Sequence, residues 1–374
     1  MVTRSHAGGY VVFLPEDGVT LNCQARGRIK KERSSILVGD RVELGEFDLK
    51  RKEAVIIRCL ERSSQSSRPN IANVDQVVIV QAIAQPEWNQ LWCDRYIVHF
   101  QLEMPDTMPI LCINKCDLAP GDQALSLRNI YEELGYRVLL CSAASGIGMN
   151  ELAELLSGRI TVLAGPSGVG KSSLLNRLEP DLNLKTGIME NEFGVGRHTT
   201  TASELFQINP HFENLMLSST QKPDVAWVVD TPGFNLSELR CPEPQEVMWQ
   251  FPEIVKLKDS CRFSNCTHLV EDGCVVLEEV NREDTSPVLV ERYRSYASIM
   301  EQSKEAYDER RATSTKIEST TKIDGGTVIP KLKGKYRAAS RRKEKQRVIY
   351  DLSSDQDSDD IEEVDEDDDE FADE

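Results

Sequence analysis

Gly165-Pro166-Ser167-Gly168-Val169-Gly170-Lys171-Ser172 matches the P-loop pattern G-x-x-x-x-G-K-S/T, and Ser173 follows it directly. The apolar stretch 159–164 before the motif predicts a buried strand, and residues 173–178 predict a helix. In such a strand–turn–helix, backbone N–H groups and the helix N-terminus bind phosphates. We expect Lys171 to reach the β- and γ-phosphates and the Ser172 hydroxyl to bind Mg²⁺. The motif therefore predicts an α/β nucleotide-binding domain.

A second motif, Asn114-Lys115-Cys116-Asp117, matches the guanine-reading pattern N-K-x-D and follows an apolar strand. The Asp117 carboxylate can accept hydrogen bonds from N1–H and the 2-amino group of guanine. Adenine offers neither donor, so a buried Asp117 would be left unpaired. On its own, this tetrapeptide is also common in turns that follow a strand and bind no ligand. The next predicted strand ends in Ser142-Ala143, the usual second guanine contact, and the two segments together favour GTP over ATP.

The order of these motifs is unusual, because N-K-x-D normally lies downstream of the P-loop and here precedes it. A further strand ends in Asp230-Thr231-Pro232-Gly233, the D-x-x-G element, in which Asp230 holds Mg²⁺ through water and the Gly233 N–H senses the γ-phosphate. In isolation this tetrapeptide is more often a plain turn. The order indicates a circularly permuted GTPase whose chain is cut just after the second switch.

Six strands are predicted for this domain, and by motif they correspond to the fourth, fifth, sixth, first, second and third strands of an ordinary GTPase. Alternating with helices, they predict a doubly wound sheet of parallel strands with the ligand at the C-terminal strand ends. The strands are Asp75–Ala82, Pro109–Asn114, Arg137–Cys141, Arg159–Ala164, Glu204–Ile208 and Val225–Asp230.

The polar segment Gly196-Arg197-His198-Thr199-Thr200-Thr201 lies where GTPases place their first switch. We expect one of its threonines, Thr199 or Thr200, to complete the Mg²⁺ shell. Phe234 occupies the position at which Ras-like enzymes keep a water-positioning Gln, so intrinsic turnover should be slow. His198 is the nearby imidazole and a candidate catalytic residue that orients or activates water. The alternative is that His198 packs against or caps the loop.

A cluster of Cys261, Cys266, His268 and Cys274 follows the GTPase motifs. Three thiolates and an imidazole suit one tetrahedral, structural Zn²⁺, and the polar residues around them provide little core of their own. The alternative is a disulfide or unrelated thiols. Because the sequence shows no signal peptide and no membrane-spanning apolar run, we expect a reducing cytoplasm, where clustered Cys and His are more often metal ligands.

The first seventy residues contain short alternating stretches of Val, Ile and Leu separated by Gly, Asp and Pro turns. Five such strands predict a small Greek-key barrel of OB type, which often binds oligonucleotides. The strands are Tyr10–Leu14, Val19–Ala25, Ser35–Val38, Arg41–Leu44 and Ala54–Arg58. A basic run between them is either an RNA-backbone contact or a solvated loop. Its members are Arg26, Arg28, Lys30, Lys31 and Arg33.

Over residues 1–305 the sequence resembles the bacterial RsgA (YjeQ/YloQ) family of circularly permuted GTPases, which act in maturation of the small ribosomal subunit. The resemblance is carried by the P-loop, N-K-x-D, D-x-x-G-F, first-switch and Cys/His motifs. It extends to Val38-Gly39-Asp40-Arg41-Val42, Arg68-Pro69, Ala72-Asn73-Val74-Asp75-Gln76 and the segment 291–296. It implies an OB barrel, a GTPase core and a helical zinc module that together bind the 30S subunit near its decoding region.

From this resemblance we expect a late-stage 30S assembly factor that binds small-subunit rRNA and leaves on GTP hydrolysis, as a cytoplasmic monomer with no membrane partner. The alternative is a metabolic P-loop enzyme with a structural zinc site; a GTP sensor that binds without hydrolysis is a further rival. The predicted domains are residues 1–68 (barrel), 69–240 (GTPase), 241–309 (zinc module) and 310–374 (tail).

The predicted tail differs from the family. The chain of 374 residues has a formal net charge of −18, and residues 351–374 hold fifteen acidic residues without a basic one. Residues 310–347 hold thirteen basic and three acidic residues. Neither stretch has apolar periodicity, which predicts disorder. The basic arm either binds rRNA phosphate and is masked by the acidic end, or the tail only increases solubility.

Overall fold

In a computed structural model of the chain, one compact unit spans Met1–Tyr307 and a second spans Asp308–Glu374. The structure describes residues 1–6, 8–26, 36–119, 121–182, 184, 204–209, 225–230, 241–282, 284, 287–318, 321–324 and 327–330. Several predicted features lie outside these residues: His198, Thr199 and Thr200 of the first switch, Gly233 and Phe234 after Asp230, the basic residues Arg28, Lys30, Lys31 and Arg33, and residues 331–374.

The N-terminal region forms five strands in the order β1-β2-β3-β5-β4, in which β3 and β5 are parallel and the other neighbours antiparallel. They are β1 (Val2–His6), β2 (Gly9–Leu14), β3 (Val19–Ala25), β4 (Val42–Asp48) and β5 (Glu53–Cys59). Alternate side chains of β3 are buried, as the period of two of a half-buried strand requires. With Val2, Val12 and Ile56 they form the core of this region.

Two details of this region, the predicted barrel, differ from the prediction. β1 was not predicted, because its sequence Val-Thr-Arg-Ser-His has little apolar alternation. Of the predicted strand Ser35–Val38, Ser35 is outside the described residues, and Val38 forms an isolated bridge with Ile71. The chain turns there because Gly39 has φ +89, and a Cβ at Gly39 would lie 2.0 Å from the Ala72 carbonyl oxygen.

The connection to the next domain is a short hairpin of β6 (Gln65–Ser67) and β7 (Asn70–Ala72). Glu103 anchors the hairpin, because its carboxylate accepts hydrogen bonds from the Ser67 N–H at 2.8 Å and the Ser67 hydroxyl at 2.6 Å. At the adjoining end of the barrel, Arg62 binds both carboxylate oxygens of the buried Asp40. The linker is therefore fixed at both of its ends.

The GTPase sheet has the order β10-β9-β8-β11-β13-β12, and all six predicted strands are present within one or two residues at each end. They are β8 (Gln76–Ala82), β9 (Ile110–Asn114), β10 (Val138–Leu140), β11 (Ile160–Ala164), β12 (Glu204–Ile208) and β13 (Ala226–Asp230). The expectation of parallel strands throughout is wrong for β12, which is antiparallel to β13. Only Leu205 and Ile208 of β12 are buried, whereas every residue of β8 and β11 is buried, which suits a strand away from the sheet centre.

Four helices cover the two faces of this sheet: α1 (Gln90–Glu103), α2 (Gln123–Glu133), α3 (Met149–Leu156) and α4 (Lys171–Leu178). Tyr96 and Phe100 of α1 and Tyr131 of α2 belong to one buried cluster. Leu152 of α3 and Leu174 of α4 belong to a separate cluster. Helices on both faces make the domain doubly wound, as predicted.

The barrel and the GTPase domain share one sheet of eleven strands, because β12 pairs with β1. The pairing is antiparallel and places Arg4 opposite Glu204. A second contact joins β2 to β13, where the rings of Phe13 and Trp227 meet edge to face with centroids 4.9 Å apart.

The C-terminal part of the first unit is helical, with α5 (Pro244–Val247), α6 (Pro252–Val255), α7 (Val275–Val280) and α8 (Pro287–Glu318). Its core includes Phe251, Ile254 and Tyr296, and Val98 of α1 joins the same cluster. The helical module therefore packs directly against the GTPase domain.

Beyond residue 307 the structure differs from the predicted disordered tail. α8 continues to Glu318, and β14 (Thr321–Asp324) pairs antiparallel with β15 (Thr327–Pro330). The β-branched residues of Thr-Lys-Ile-Asp and Thr-Val-Ile-Pro, and the Gly325-Gly326 pair between them in the sequence, are the local signals for this hairpin. No helix in the described part of the chain is long and apolar enough to cross a membrane.

Candidate nucleotide and metal sites

The P-loop joins β11 to α4, as the sequence predicts. Gly165 must be glycine because a Cβ there would lie 2.1 Å from the Val80 carbonyl oxygen. The buried Lys171 donates hydrogen bonds to the carbonyl oxygens of Gly165 at 2.8 Å and Pro166 at 2.9 Å. These bonds hold the ammonium group at the helix N-terminus, where a phosphate would bind. Ser172 and Ser173 follow in the first turn of α4.

The N-K-x-D segment contacts the P-loop directly, although the two motifs are far apart in the chain. The Asn114 amide donates to the Val169 carbonyl oxygen at 2.8 Å, and Lys115 Nζ donates to the Gly168 carbonyl oxygen at 2.8 Å. Asn114 Oδ1 is buried and has no hydrogen-bond partner among the described residues. Burial lowers the pKa of Lys115, and the charge of Asp117 opposes that shift. The two motifs therefore form one site.

The two predicted base-reading segments also lie together. The Cys116 N–H donates to the Cys141 carbonyl oxygen at 3.1 Å, which joins the N-K-x-D turn to the strand end that carries Ser142 and Ala143. The buried Ser142 hydroxyl accepts a hydrogen bond from the Ser145 N–H at 3.0 Å. The expectation that Asp117 is buried is wrong: it lies in the 3-10 turn Cys116–Leu118 and is exposed. The exposed turn leaves the Asp117 carboxylate open to a base.

The magnesium side of the site is described in part. β13 ends at Asp230, and its ladder with β11 places Asp230 opposite Leu163, so the backbone of Asp230 lies at the P-loop edge of the sheet. Ser172 is at the same edge, in the first turn of α4. The remaining predicted residues of this region, Thr199, Thr200, Gly233 and the candidate catalytic His198, lie outside the described residues.

The turn after β8 also borders the site, although no sequence motif predicted it. Lys115 Nζ donates to the Gln85 carbonyl oxygen as well as to Gly168. The Pro86 ring would lie 3.7 Å from a Cβ placed on Gly168. β8 is a central parallel strand, and ligands of such sheets bind beyond the C-terminal strand ends. That rule, applied to Gln85-Pro86, would have identified the turn.

The four predicted metal ligands converge. One ligand atom from each of Cys261, Cys266, His268 and Cys274 lies within 4.8 Å of all the others. Nδ1 of His268 lies 3.5 Å from Cys261 Sγ and 3.3 Å from Cys274 Sγ. The Sγ atoms of Cys261 and Cys274 are 3.9 Å apart, about twice the length of a disulfide bond of ~2.05 Å. The donor set and its spacing fit a tetrahedral metal ion.

The surrounding structure fixes the histidine of this cluster. Tyr293 donates to the His268 carbonyl oxygen at 2.8 Å, and Tyr296 donates to the neighbouring Thr267 carbonyl oxygen at 2.7 Å. Burial lowers the pKa of His268, which favours the neutral imidazole that binds metal. Burial alone would raise the pKa of Glu271. Hydrogen bonds from the Thr267 hydroxyl and from backbone N–H groups lower it to about 2.

Comparison with known families gives two matches that together cover the first 240 residues. Residues 1–56 match the RsgA N-terminal domain, and residues 57–240 match the RsgA GTPase. Two bacterial relatives, each named small ribosomal subunit biogenesis GTPase RsgA, are 36% identical. The protein of Caldanaerobacter subterraneus subsp. tengcongensis aligns over 81% of this chain and 95% of its own length, and that of Moorella thermoacetica over 79% and 94%.

Two crystal structures are similar over most of the chain. YjeQ from Thermotoga maritima superposes with a TM-score of 0.62 at 32% identity, covering 81% of this chain and 97% of its own. YloQ, described as a circularly permuted GTPase, superposes with a TM-score of 0.59 at 30% identity, covering 82% and 94%. These similarities confirm the permuted GTPase fold that the order of the motifs predicted.

Proposed function

Because this chain belongs to the RsgA family of GTPases, we propose that it is a GTP-hydrolysing assembly factor of the small ribosomal subunit. It is a GTPase by family. The observation that carries the proposal is the contact of Asn114 and Lys115 with the P-loop carbonyls, which joins guanine recognition and phosphate binding in one site. As the names of the relatives imply a role in subunit biogenesis, the partner is the 30S subunit.

In this proposal, one set of residues binds the guanine base and another set binds the phosphates. Asp117 reads guanine beside Ser142 and Ala143, with Asn114 and Lys115 bracing the loop. The phosphates are bound by the P-loop, which comprises Gly165, Pro166, Ser167, Gly168, Val169, Gly170, Lys171, Ser172 and Ser173. Asp230 and Gly233 complete the γ-phosphate end. The position of β13 beside β11 supports the placement of Asp230.

Two metal ions belong to the proposal. Ser172, with Thr199 or Thr200, holds the Mg²⁺ that neutralises phosphate charge when GTP is bound. Cys261, Cys266, His268 and Cys274 hold one structural Zn²⁺, because three thiolates and one imidazole are a typical zinc set. The convergence of these four donors supports a metal site. A closed set of four leaves no open position for chemistry, so the zinc orders the module.

Hydrolysis depends on a water molecule that must be positioned at the γ-phosphate. His198 is our candidate for that role, since Phe234 cannot hydrogen-bond to water. The alternative, that His198 packs against or caps the switch loop, predicts normal turnover after its removal.

The N-terminal barrel is the proposed RNA-binding element. Its strand order β1-β2-β3-β5-β4, with the parallel pair β3–β5, supports an OB-type barrel, a fold that often binds oligonucleotides. We also propose that the protein leaves the subunit after hydrolysis. It acts as a monomer in the cytoplasm, where small subunits mature.

The deciding experiment measures GTP hydrolysis with and without purified 30S subunits. We expect slow intrinsic turnover, strong stimulation by subunits, and loss of stimulation in His198→Ala with subunit binding retained. Lys171→Ala serves as the control that lacks phosphate binding. Hydrolysis of ATP as fast as GTP would favour a metabolic P-loop enzyme, and GTP binding without phosphate release would favour a GTP sensor.

A further inference from the structure

The barrel contacts the GTPase domain at two points in its sheet. The first is the ladder between β1 and β12, where Arg4 is paired with Glu204 and their side chains form an ion pair. The second is the edge-to-face contact of Phe13 on β2 with Trp227 on β13, at an interplanar angle of 61°. Both contacts come from the first hairpin of the barrel.

The two contacted strands are those adjoining the predicted switches in the sequence. Glu204 is the first residue of β12, and the first-switch threonines precede it by only a few positions. Trp227 lies on β13, which ends at Asp230 at the start of D-x-x-G. Because β12 and β13 are continuous in sequence with the predicted switch residues, we expect binding of the GTP phosphates to stabilise both strands.

We propose that the β1–β2 hairpin is a nucleotide-responsive element: it couples the state of the GTP site to the barrel, with Arg4 and Phe13 as positioning residues. The nucleotide half of this inference concerns the chain alone, and the ribosomal half rests on the proposed function. A ligand that orders β12 and β13 also strengthens the pairing of β1. By reciprocity of linked equilibria, RNA bound to the barrel strengthens the GTP-ordered state.

The pairing of β1 with β12 suits this role because it is weak and involves few residues. β1 and β12 share one register pair, and the side chains of Arg4 and Glu204 are 52% and 30% exposed. Exposed ion pairs contribute little to stability. Short ladders with solvent-exposed hydrogen bonds open locally more often than core strands do. A small change in the order of β12 should therefore alter the open fraction of β1 measurably.

The first test is amide hydrogen exchange of the full chain with GDP and with Mg²⁺ and a non-hydrolysable GTP analogue. We expect several-fold slower exchange in β1 and β2 with the analogue, and unchanged exchange in β4 and β5 of the same barrel. Arg4→Glu places like charges in opposition and should abolish the difference. The double variant Arg4→Glu/Glu204→Arg, which reverses both charges, should restore the difference between the two nucleotide states. Equal exchange of β1 in both nucleotide states of the wild type would overturn the inference.

The second test is subunit-stimulated hydrolysis at saturating 30S. We expect Arg4→Glu to lose most of the stimulation with intrinsic turnover and subunit affinity retained. The matched control is Arg128→Glu, which breaks an exposed ion pair within α2, away from the barrel, and should keep full stimulation. Full stimulation of hydrolysis by 30S subunits in Arg4→Glu would overturn the part of the inference that concerns the ribosome. A wild type that shows the exchange response but no stimulation would refute the proposed function and leave the coupling element established.

Discussion

Arg292 of α8 and Asp94 of α1 form an ion pair in which both side chains are fully buried. Arg292 Nε also donates to Glu253 at 2.8 Å, and the guanidinium lies 4.5 Å from the ring centre of Phe251. Burial alone would lower the pKa of Arg292, but Asp94 and Glu253 raise it well above its ordinary value. One cation thus links the helical module to the first helix of the GTPase domain.

We predict that Arg292→Met destabilises the protein by roughly 3–5 kcal/mol, because it leaves the fully buried Asp94 and the largely buried Glu253 without their cation. Urea denaturation monitored by tryptophan fluorescence would measure the change. Arg282→Met removes a cation from exposed pairs with Glu279 and Asp284, and should leave the midpoint unchanged. A loss of less than about 1 kcal/mol for Arg292→Met, typical of a surface pair, would contradict the structural role of this cation.

Gly170 should not tolerate a side chain. A Cβ there would lie 2.4 Å from Asn114 Nδ2, at φ +94, so Gly170→Ala should displace the asparagine that braces the P-loop. We expect GTP affinity to fall at least about tenfold, or about 1.4 kcal/mol, in a titration with fluorescent GTP. Gly18→Ala is the matched control, at φ +64 with no described atom within 4 Å. It should cost roughly 1–2 kcal/mol of stability and leave the affinity intact.

Asp117→Asn should shift base preference from guanine toward xanthine, because an amide donor pairs with the carbonyl at position 2 of xanthine. Competition between the two nucleoside triphosphates would measure the ratio of affinities. Asp122→Asn, at another exposed aspartate on the N-terminal side of α2, should not change the ratio. Undiminished GTP affinity in Asp117→Asn would remove Asp117 from the base-reading site.

Loss of a metal ligand should unfold the helical module without abolishing nucleotide binding. In Cys261→Ser we expect stoichiometric zinc to disappear and a lower thermal transition, while GTP affinity remains because the P-loop lies on another element. Metal analysis and calorimetry would report the two effects. Cys241→Ser changes an exposed thiol outside the cluster and should keep the metal. Wild-type protein purified without chelator but free of zinc would refute the assignment.

Glu271 should make the module sensitive to acid. Its folded pKa of about 2 lies below the ordinary 4.5, so the ionised carboxylate stabilises the fold above pH 4.5, and this contribution is lost as the pH falls toward 2. The difference in unfolding free energy between wild type and Glu271→Gln should therefore be largest at neutral pH and shrink below pH 4.5. Glu278→Gln, at an exposed position, is the control. A difference independent of pH would mean that Glu271 acts by packing alone.

The sequence best predicted those sites whose residues are consecutive or closely spaced in the chain. The P-loop and N-K-x-D carry their roles in a few consecutive residues, and each strand that precedes them is a continuous apolar run. The order of the motifs therefore predicted the order of the strands. The convergence of the Cys/His cluster was equally predictable, because the types and spacing of these residues are typical of metal ligands.

Features that depend on distant partners could not be predicted. Arg292 lies in the polar sequence Glu-Arg-Tyr-Arg and reads as a surface residue; its burial depends on Asp94, 198 positions away. β1 is a strand because β2 and β12 provide hydrogen bonds, and its own composition gives little indication. The direction of β12 and the exposure of Asp117 likewise depend on neighbours, since neither a strand's direction nor a turn's depth is encoded in its local pattern.

The pairing of β1 with β12 also has a consequence for solubility. An uncovered edge strand presents free N–H and C=O groups on which another molecule can add a strand, and proteins protect such edges against aggregation. Here β1 pairs with the first residue of β12, so the terminal strands of the eleven are β4 and β10. The boundary between the two matched regions, after residue 56, looks like a natural place to divide the chain. A fragment that begins at residue 57 would lack β1, so β12 would be an unpaired edge strand that promotes aggregation.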